Sequence, residues 1–253
     1  MWYNLVRLKI SHGTDGMKNV KTYLAILLFG FSFNAFAIPA LQVDIAGGTY
    51  VGGEEQSVIT TDDSFTTYVY GDATSDKIDG ADTYYLSVAI VSADGSSISD
   101  TLTSIGEFSI DGTTYSLASM TYGTPPHDES YKDIGSHDVY DTYFLEIAFS
   151  FDTSTEYAAV NVQDNPGLGP TAGTGMYAQA FDISKIGLAD GLELHFDAYG
   201  LTDLCDPLDR SCKEKVDVFA PFSHDGGTSV SESTSLFLLM IGLLGLVAVK
   251  RKA

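Results

Sequence analysis

Residues 106–117 read GEFSIDGTTYSL, and this stretch indicates the fold of the chain. Two short runs rich in Phe, Ile, Thr and Tyr, 106–110 and 113–117, flank the dipeptide Asp111-Gly112. Asp-Gly tolerates the positive φ angles of a two-residue type I′ turn, whose twist matches that of paired strands. The stretch therefore predicts a β-hairpin.

The same pattern recurs through the middle of the chain. Runs rich in β-branched and aromatic residues alternate with turn residues at short intervals, and the chain holds 15 Tyr and 14 Phe to fill half-buried pleated faces. This spacing predicts an all-β fold, an antiparallel β-sandwich resembling a jelly roll. The predicted strands are 41–46, 57–61, 65–70, 83–92, 106–110, 113–117, 143–151, 157–162, 176–181 and 192–199.

Three stretches interrupt the strand pattern. Residues 182–188 predict a helical turn, with Asp182 or Ser184 as its cap. Residues 122–141, which contain two adjacent prolines, and residues 163–175, which contain NPGLGPTAGTG, predict surface loops. Such loops are the usual place for binding function.

The N-terminus contains an export signal. A second methionine, Met17, is followed by two lysines, an apolar core at 24–33, and Ala35 and Ala37 in the small-x-small arrangement of a cleavage site. We therefore expect translation to start at Met17. Signal peptidase is expected to remove the resulting signal helix after Ala37.

The C-terminus carries a second targeting pattern. An uncharged apolar run at 236–249 is followed by Lys250, Arg251 and Lys252. As a helix this run reaches about 21 Å, less than the roughly 30 Å of a bilayer hydrocarbon core. The basic residues would stay on the cytoplasmic side and leave the upstream region outside. We expect a short transmembrane helix that is a removable recognition segment rather than a permanent anchor.

Four residues, Val230, Ser231, Glu232 and Ser233, precede this helix. A short motif, an apolar helix and a terminal basic cluster together resemble the tripartite sorting signals of Gram-negative bacteria, above all the PEP-CTERM type that exosortases process. Those signals usually begin Val-Pro-Glu-Pro, so this chain keeps the Glu and has serine at both proline positions. The resemblance implies cleavage near the motif by an exosortase-like enzyme.

The pair Gly226-Gly227 keeps open a second resemblance, to GlyGly-CTERM signals processed by rhombosortases. Either resemblance implies transient residence in the inner membrane and delivery to the outer membrane, the cell surface or the extracellular space. The expected organisation is a spurious extension at 1–16, a signal peptide at 17–37, a β-sandwich ectodomain at 38–229 and a sorting signal at 230–253.

The expected ectodomain, 38–229, is strongly acidic. It keeps 6 of the 13 basic residues and 32 of the 34 acidic ones, a net charge of about −26. Such a field repels nucleic acid and anionic membrane surfaces, and it favours divalent cations or polycationic partners. Solvation of an extracellular protein explains the charge without any specific ligand.

Two cysteines, Cys205 and Cys212, stand in the sequence LCDPLDRSC. An even number of cysteines in an exported chain predicts a disulfide, here one closing a small loop around Pro207. A metal site is disfavoured, because the spacing is not Cys-x-x-Cys and no histidine is close in sequence.

Acidic clusters make calcium a candidate ligand in a domain that we otherwise expect to need no cofactor. Asp72, Asp76, Asp79 and Asp82 share one loop-like stretch and offer the oxygen ligands that Ca²⁺ prefers. No stretch matches the EF-hand pattern, and among 32 carboxylates some proximity arises by chance.

Catalytic motifs are missing from the sequence. Ser-His-Asp occurs at 136–138 and 223–225, but adjacent residues in a strand point to opposite faces, so neither is a catalytic triad. We interpret these residues as polar loop residues and turn formers. Gly-x-Ser-x-Gly, His-Glu-x-x-His and phosphate-binding glycine loops do not occur. We expect a protein without enzymatic activity.

Three stretches give the ectodomain a second resemblance: LQVDIAGGTY at 41–50, GLELHFD at 191–197 and FAPFSHD at 219–225. They are similar to the "choice-of-anchor" surface proteins of the N type, which implies a surface location and a β architecture but no particular activity. We expect a structural or adhesive component of exopolysaccharide or biofilm that contacts extracellular polysaccharide. The alternative is a glycan-binding module or a glycoside hydrolase. Exposed aromatic residues on one face would favour glycan binding, and two convergent carboxylates in a cleft would favour hydrolysis.

Overall fold

A computed structural model of the protein describes residues 38–52, 57–125, 141–202, 215–221 and 224–228. The chain consists of two compact units that meet in sequence between Ala37 and Ile38, and all the described residues belong to the second unit. In this part of the chain no helix has the length and apolar character needed to cross a membrane. Outside the described residues lie the expected cleavage site at Ala35 and Ala37, the Cys205–Cys212 pair, the motif at 230–233, the helix at 236–249 and the tail at 250–252.

The described part of the chain is all-β, with a short 3₁₀ turn at Leu117–Ser119 and 3₁₀ backbone again at His224. The strands are β1 (Leu41–Ile45), β2 (Thr49–Val51), β3 (Ser57–Ile59), β4 (Ser64–Asp72), β5 (Tyr84–Ser92), β6 (Phe108–Ile110), β7 (Thr113–Tyr115), β8 (Thr121–Gly123), β9 (Thr142–Phe149), β10 (Tyr157–Ala158), β11 (Gly175–Ser184), β12 (Leu192–Thr202), β13 (Lys215–Phe219) and β14 (Gly226–Gly227).

These strands form two sheets. The first sheet has the order β1-β4-β11-β6-β7, with β10 beside β11, and its strands pair antiparallel. The second sheet has the order β2-β3-β14-β12-β5-β9-β8, with β13 beside β12. Its pairs are antiparallel except for β14, which runs parallel to β3. The expectation of a purely antiparallel architecture is therefore wrong at this one pair.

Both sheets contribute to one hydrophobic core. The ring of Phe65 on the first sheet meets that of Phe196 on the second edge-on, with centroids 5.9 Å apart. Phe149 and Phe181 make a second such contact at 5.4 Å. Full burial of a Phe side chain is worth about 1.5–3 kcal/mol relative to exposure, so these contacts, in which Phe149 is partly buried, hold the two sheets together. The arrangement is consistent with a β-sandwich.

The hairpin predicted around Asp111-Gly112 is confirmed. β6 and β7 pair antiparallel with Phe108 opposite Tyr115 and Ile110 opposite Thr113. Asp111 and Gly112 have φ angles of 50° and 75°, as a type I′ turn requires at both central positions.

The helical turn predicted at 182–188 is wrong, because β11 continues to Ser184. The backbone N–H of Asp182 donates to the Asp111 carboxylate at 2.8 Å, and the Thr66 hydroxyl donates to the Asp182 carboxylate at 2.9 Å. Asp182 therefore joins β11 to neighbouring segments by hydrogen bonds and does not cap a helix.

Loop expectations are met in part. The predicted loop at 163–175 is irregular until Gly175, where β11 begins, whereas Tyr122 and Gly123 of the loop predicted at 122–141 belong to β8. Residues 126–140 of that loop lie outside the described residues. The strand predicted at 157–162 is reduced to Tyr157–Ala158, because Ala158 pairs with Gly175 and the chain then turns away.

Candidate functional site

A row of polar side chains crosses the outer face of the second sheet. Along β12 the side chains alternate, so Phe196 enters the core while His195 and Asp197 point to the opposite face. In the register of the sheet, Asp197 lies opposite Ser87 on β5, and Ser87 lies opposite Glu146 on β9. Directly opposed residues share a face, so these side chains lie side by side.

Asp225 extends the row towards the sheet edge. It immediately precedes β14, whose Gly226 pairs with Phe196 on one side and with Val58 on the other. One residue earlier in the same register, Asp225 lies between Asp197 and Ser57. The Val58 N–H donates to the Asp225 carbonyl at 3.0 Å, which fixes this register. We call Ser57, Asp225, Asp197, Ser87 and Glu146 the polar row.

His195 brings the two carboxylates of the row together. Its Nε2 lies 3.3 Å from Asp197 Oδ2 and 3.6 Å from Asp225 Oδ2. The His195 side chain is 17% exposed, against 2% for Asp197 and 0% for Asp225, but its Nε2, which faces the carboxylates, is buried. Within the described ranges, this is the single group of three or more metal-ligating side chains whose donor atoms lie within 4.8 Å of one another.

Burial makes the carboxylate of Asp225 an unfavourable charge. It raises the pKa of Asp225 well above the usual range; His195 moderates the rise, Asp197 adds to it, and the Ser57 side chain moderates it again. Although Ser57 approaches, neither carboxylate oxygen of Asp225 has a partner in hydrogen-bonding geometry. A buried charge without partners costs several kcal/mol. The carboxylate therefore requires either a proton or a cation.

Hydrogen bonds hold β14 against β12 beside this group. The Thr228 hydroxyl accepts the Leu194 N–H at 2.9 Å and donates to the carboxylate of Glu193. Lys185 Nζ also donates to the Glu193 carboxylate at 2.8 Å. The positive charge of Lys185 is thus engaged by Glu193.

Two convergent carboxylates would suggest glycoside hydrolysis, but their burial argues against it. The donor oxygens of Asp197 and Asp225 lie within 4.8 Å, closer than the roughly 5–5.5 Å of retaining pairs and the larger gap of inverting pairs. Both side chains are almost without solvent exposure, so a sugar ring has no access between them. One imidazole nitrogen with two carboxylates is instead a set of metal ligands.

The calcium candidates are not brought together as such a group. Asp72 Oδ1 accepts the backbone N–H of Thr74 at 2.8 Å and its hydroxyl at 2.7 Å. Asp79 Oδ1 accepts the Ala81 N–H at 3.0 Å. These aspartates act as turn formers, and with Asp76 and Asp82 they do not appear among the metal-ligating groups of the described residues.

The Ser-His-Asp at 223–225 is only partly explained as a turn. His224 does close one, since its N–H donates to Pro221 O at 2.7 Å. Both His224 and Asp225 are nevertheless buried, and His224 Nε2 lies 3.0 Å from Asn161 Oδ1. The pair therefore belongs to the interior, because the chain enters the middle of the second sheet at Gly226. The copy at 136–138 lies outside the described residues.

An aromatic platform for glycans finds little support in the described part of the chain. Its large exposed aromatic side chains are Tyr122, 36% exposed, and Phe219, 37% exposed. Tyr122 packs edge-on against Tyr143, with ring centroids 5.0 Å apart, and donates its hydroxyl to Ile98 O.

Sequence reasoning missed the group because its third member comes from another segment. The alternation Glu193, His195, Asp197 between apolar residues was a usable signal, since it places a His-x-Asp pair on one face of a strand. Comparison of the chain with protein-family models, with curated proteins and with solved structures gives no match.

Proposed function

We propose that this chain is an exported protein of the Gram-negative cell surface or extracellular matrix, with a structural or adhesive role in exopolysaccharide or biofilm. One observation carries the proposal: the apolar run at 236–249 stands between the Val-Ser-Glu-Ser motif and a basic triplet, in a chain that also has an export signal at 17–37. Each pattern alone is common, but together they describe delivery to the envelope.

The fold is suited to such a location. The chain crosses repeatedly between the two sheets, for example from β3 to β4 and from β4 to β5, which supports a jelly-roll-like sandwich as the delivered module. The net charge of about −26 on residues 38–229 keeps this region soluble outside the cell and repels nucleic acid. A Cys205–Cys212 disulfide is compatible with that compartment.

The processing enzyme that fits best is exosortase-like. Gly226 and Gly227 form β14, are buried and pair with strands on both sides, so the fold itself accounts for them. This favours an exosortase-like assignment over a rhombosortase-type signal. The expected partners are signal peptidase, an exosortase-like enzyme in the inner membrane, and extracellular polysaccharide.

A non-enzymatic role is the better proposal for the ectodomain. The convergent carboxylates, Asp197 and Asp225, are inaccessible to a sugar, and the exposed aromatics Tyr122 and Phe219 are few in the described ranges. Neither observation favours the hydrolase or the glycan-binding alternative.

Mass spectrometry of the protein recovered from the native cell surface tests the delivery. We expect the mature protein to lack residues 17–37 and the tail from Leu236 to Ala253. A Glu232→Gln variant should accumulate uncleaved in the inner membrane, while Glu107→Gln, a matched change in the ectodomain, should be processed normally. An intact tail on surface protein would show a permanent anchor and overturn the sorting proposal. For the role, a deletion strain should form weaker biofilm that the wild-type gene restores; unchanged biofilm would contradict it.

A further inference from the structure

We propose that His195, Asp197 and Asp225 form a binding site for one divalent transition-metal ion, with Zn²⁺ as the best match. This goes beyond a surface or matrix role, which requires no metal. The ligands come from β12 and from the residue before β14, two adjacent strands at the centre of the second sheet.

The spacing of the donor atoms fits a first-row ion. Two ligands at about 2.1 Å from a tetrahedral ion lie about 3.4 Å from each other. His195 Nε2 lies 3.3 Å from Asp197 Oδ2 and 3.6 Å from Asp225 Oδ2. An ion can therefore sit between these atoms after side-chain adjustments of a few tenths of an ångström.

Asp225 supplies an independent reason for a ligand. It is fully buried, its side chain points into the group, and neither of its oxygens meets a donor in full hydrogen-bonding geometry, although the Ser57 side chain lies close. Structural aspartates at such depth normally receive hydrogen bonds from the protein. A cation at this position would supply the missing partner and also relieve the repulsion between Asp225 and Asp197.

The donor set selects the class of ion. Ca²⁺ and Mg²⁺ prefer oxygen ligands alone, whereas imidazole nitrogen combined with carboxylates suits Zn²⁺ and its neighbours in the first transition row. Three protein ligands also leave a fourth coordination position. The side chain of His195, 17% exposed, is the most exposed of the three ligands and so marks the side of the group nearest to solvent.

The surrounding polar row supplies groups that could orient the ligands. Ser87 is fully buried, lies opposite Asp197 in the register, and has no hydrogen-bond partner for its hydroxyl. This hydroxyl is placed on the same face as the carboxylate, where polar groups of metal sites commonly orient the ligands. Lys185, being engaged by Glu193, does not neutralise the site.

Titration calorimetry on the full chain, purified in detergent and stripped of metal with a chelator, tests the proposal. We expect one Zn²⁺ per chain to bind with a Kd in the micromolar range or below, and at least tenfold more weakly in Asp225→Asn. Asp79→Asn, which alters a turn aspartate, is the matched control and should bind as the wild type. Equal Zn²⁺ affinity in Asp225→Asn and the wild type, or no one-to-one binding at all, would overturn the site.

Two further measurements keep the result interpretable. The metal-free Asp225→Asn variant should unfold at the same temperature as the metal-free wild type or above it, because the change removes a buried charge; a folded variant that has lost Zn²⁺ binding then supports the site. If this variant does not fold, Asp197→Asn replaces it in the same comparison. Mg²⁺ and Ca²⁺ should bind at least tenfold more weakly than Zn²⁺, and equal affinity would contradict the assigned ion class.

Discussion

Asp44 and Asp225 are buried aspartates on the outer faces of the two sheets, and they differ in what the backbone offers them. Asp44, on β1, accepts the Gly167 N–H at 2.8 Å from the loop that covers it. Its neighbour Gln42 donates to Val160 O and accepts the Val162 N–H, both at 3.0 Å. The carboxylate of Asp225 has the Ser57 side chain near it, but neither of its oxygens meets a donor in full hydrogen-bonding geometry.

This difference separates a structural carboxylate from a candidate ligand. Burial raises the pKa of Asp44 to about 6, and backbone N–H groups, that of Gly167 foremost, limit the rise. At Asp225 burial raises the pKa as well, but the nearby Asp197 carboxylate adds to it. Depth alone therefore does not mark a functional acid; a second buried acid beside the first distinguishes Asp225 from Asp44.

The largest expected effect comes from changing Gly167, in the loop that covers Asp44 on the first sheet. Gly167 has a φ of 74°, and a Cβ at this position would lie 2.5 Å from Gly48 O and 2.7 Å from Gly48 N. Because backbone atoms cannot move aside as a side chain can, Gly167→Ala should reduce the free energy of unfolding by more than about 3 kcal/mol. Urea unfolding measures the loss.

Gly112→Ala is the control for backbone strain alone. Gly112 has nearly the same φ, 75°, and nothing within 4 Å of its Cβ position. This change should cost about 1 kcal/mol. Equal losses in the two variants would mean that the close approach of Gly167 to Gly48 contributes nothing.

The second expected effect is the pH dependence of Asp44. Its native pKa of about 6 exceeds the ordinary value of 3.8, so between these pH values the native state holds a proton that the unfolded chain releases. Stability therefore falls as pH rises through this window, by up to about 3 kcal/mol. Asp44→Asn keeps the acceptor for Gly167 and should be more stable than the wild type above pH 6 by that amount, but not below pH 4.

Subtracting the wild-type profile of stability against pH from that of Asp44→Asn isolates the contribution of the Asp44 carboxyl. Burial lowers the pKa of His224, which makes stability fall as pH drops and so opposes the effect of Asp44 in the raw profile. The difference between the two proteins removes that contribution. A flat difference from pH 4 to pH 7 would show that Asp44 titrates normally.

Local sequence patterns predicted much of the fold but little of the difference between Asp44 and Asp225. The Asp111-Gly112 hairpin was predictable because its turn chemistry and both strands lie within eight consecutive residues. β14 was not, because two glycines carry no strand signal and their position depends on partners far away in the chain. The burial of His195 and Asp197 was missed for a related reason: alternation predicts a polar outer face but not whether something covers it.

The group of His195, Asp197 and Asp225 depends on that unpredicted strand. Asp225 reaches the other two only because β14 enters the sheet between β3 and β12. The sequence Ser-His-Asp at 223–225 showed which residue types are present but not where their side chains point. Convergence of segments some thirty residues apart is a tertiary fact that local periodicity does not encode.

The smallest expected effect concerns Thr228, which locks β14 beside the site as Gln42 locks the loop on the first sheet. Its hydroxyl accepts the Leu194 N–H at 2.9 Å, and Thr228 is fully buried. Thr228→Val keeps the shape but leaves that N–H without its side-chain partner, so the free energy of unfolding should fall by about 1–2 kcal/mol. Thr228→Ser keeps the hydroxyl and should lose less. If the Val and Ser variants unfold alike in urea, β14 is held by its backbone pairing alone. A side chain would then fix the segment beside the buried aspartate on the first sheet, through Gln42, but not on the second.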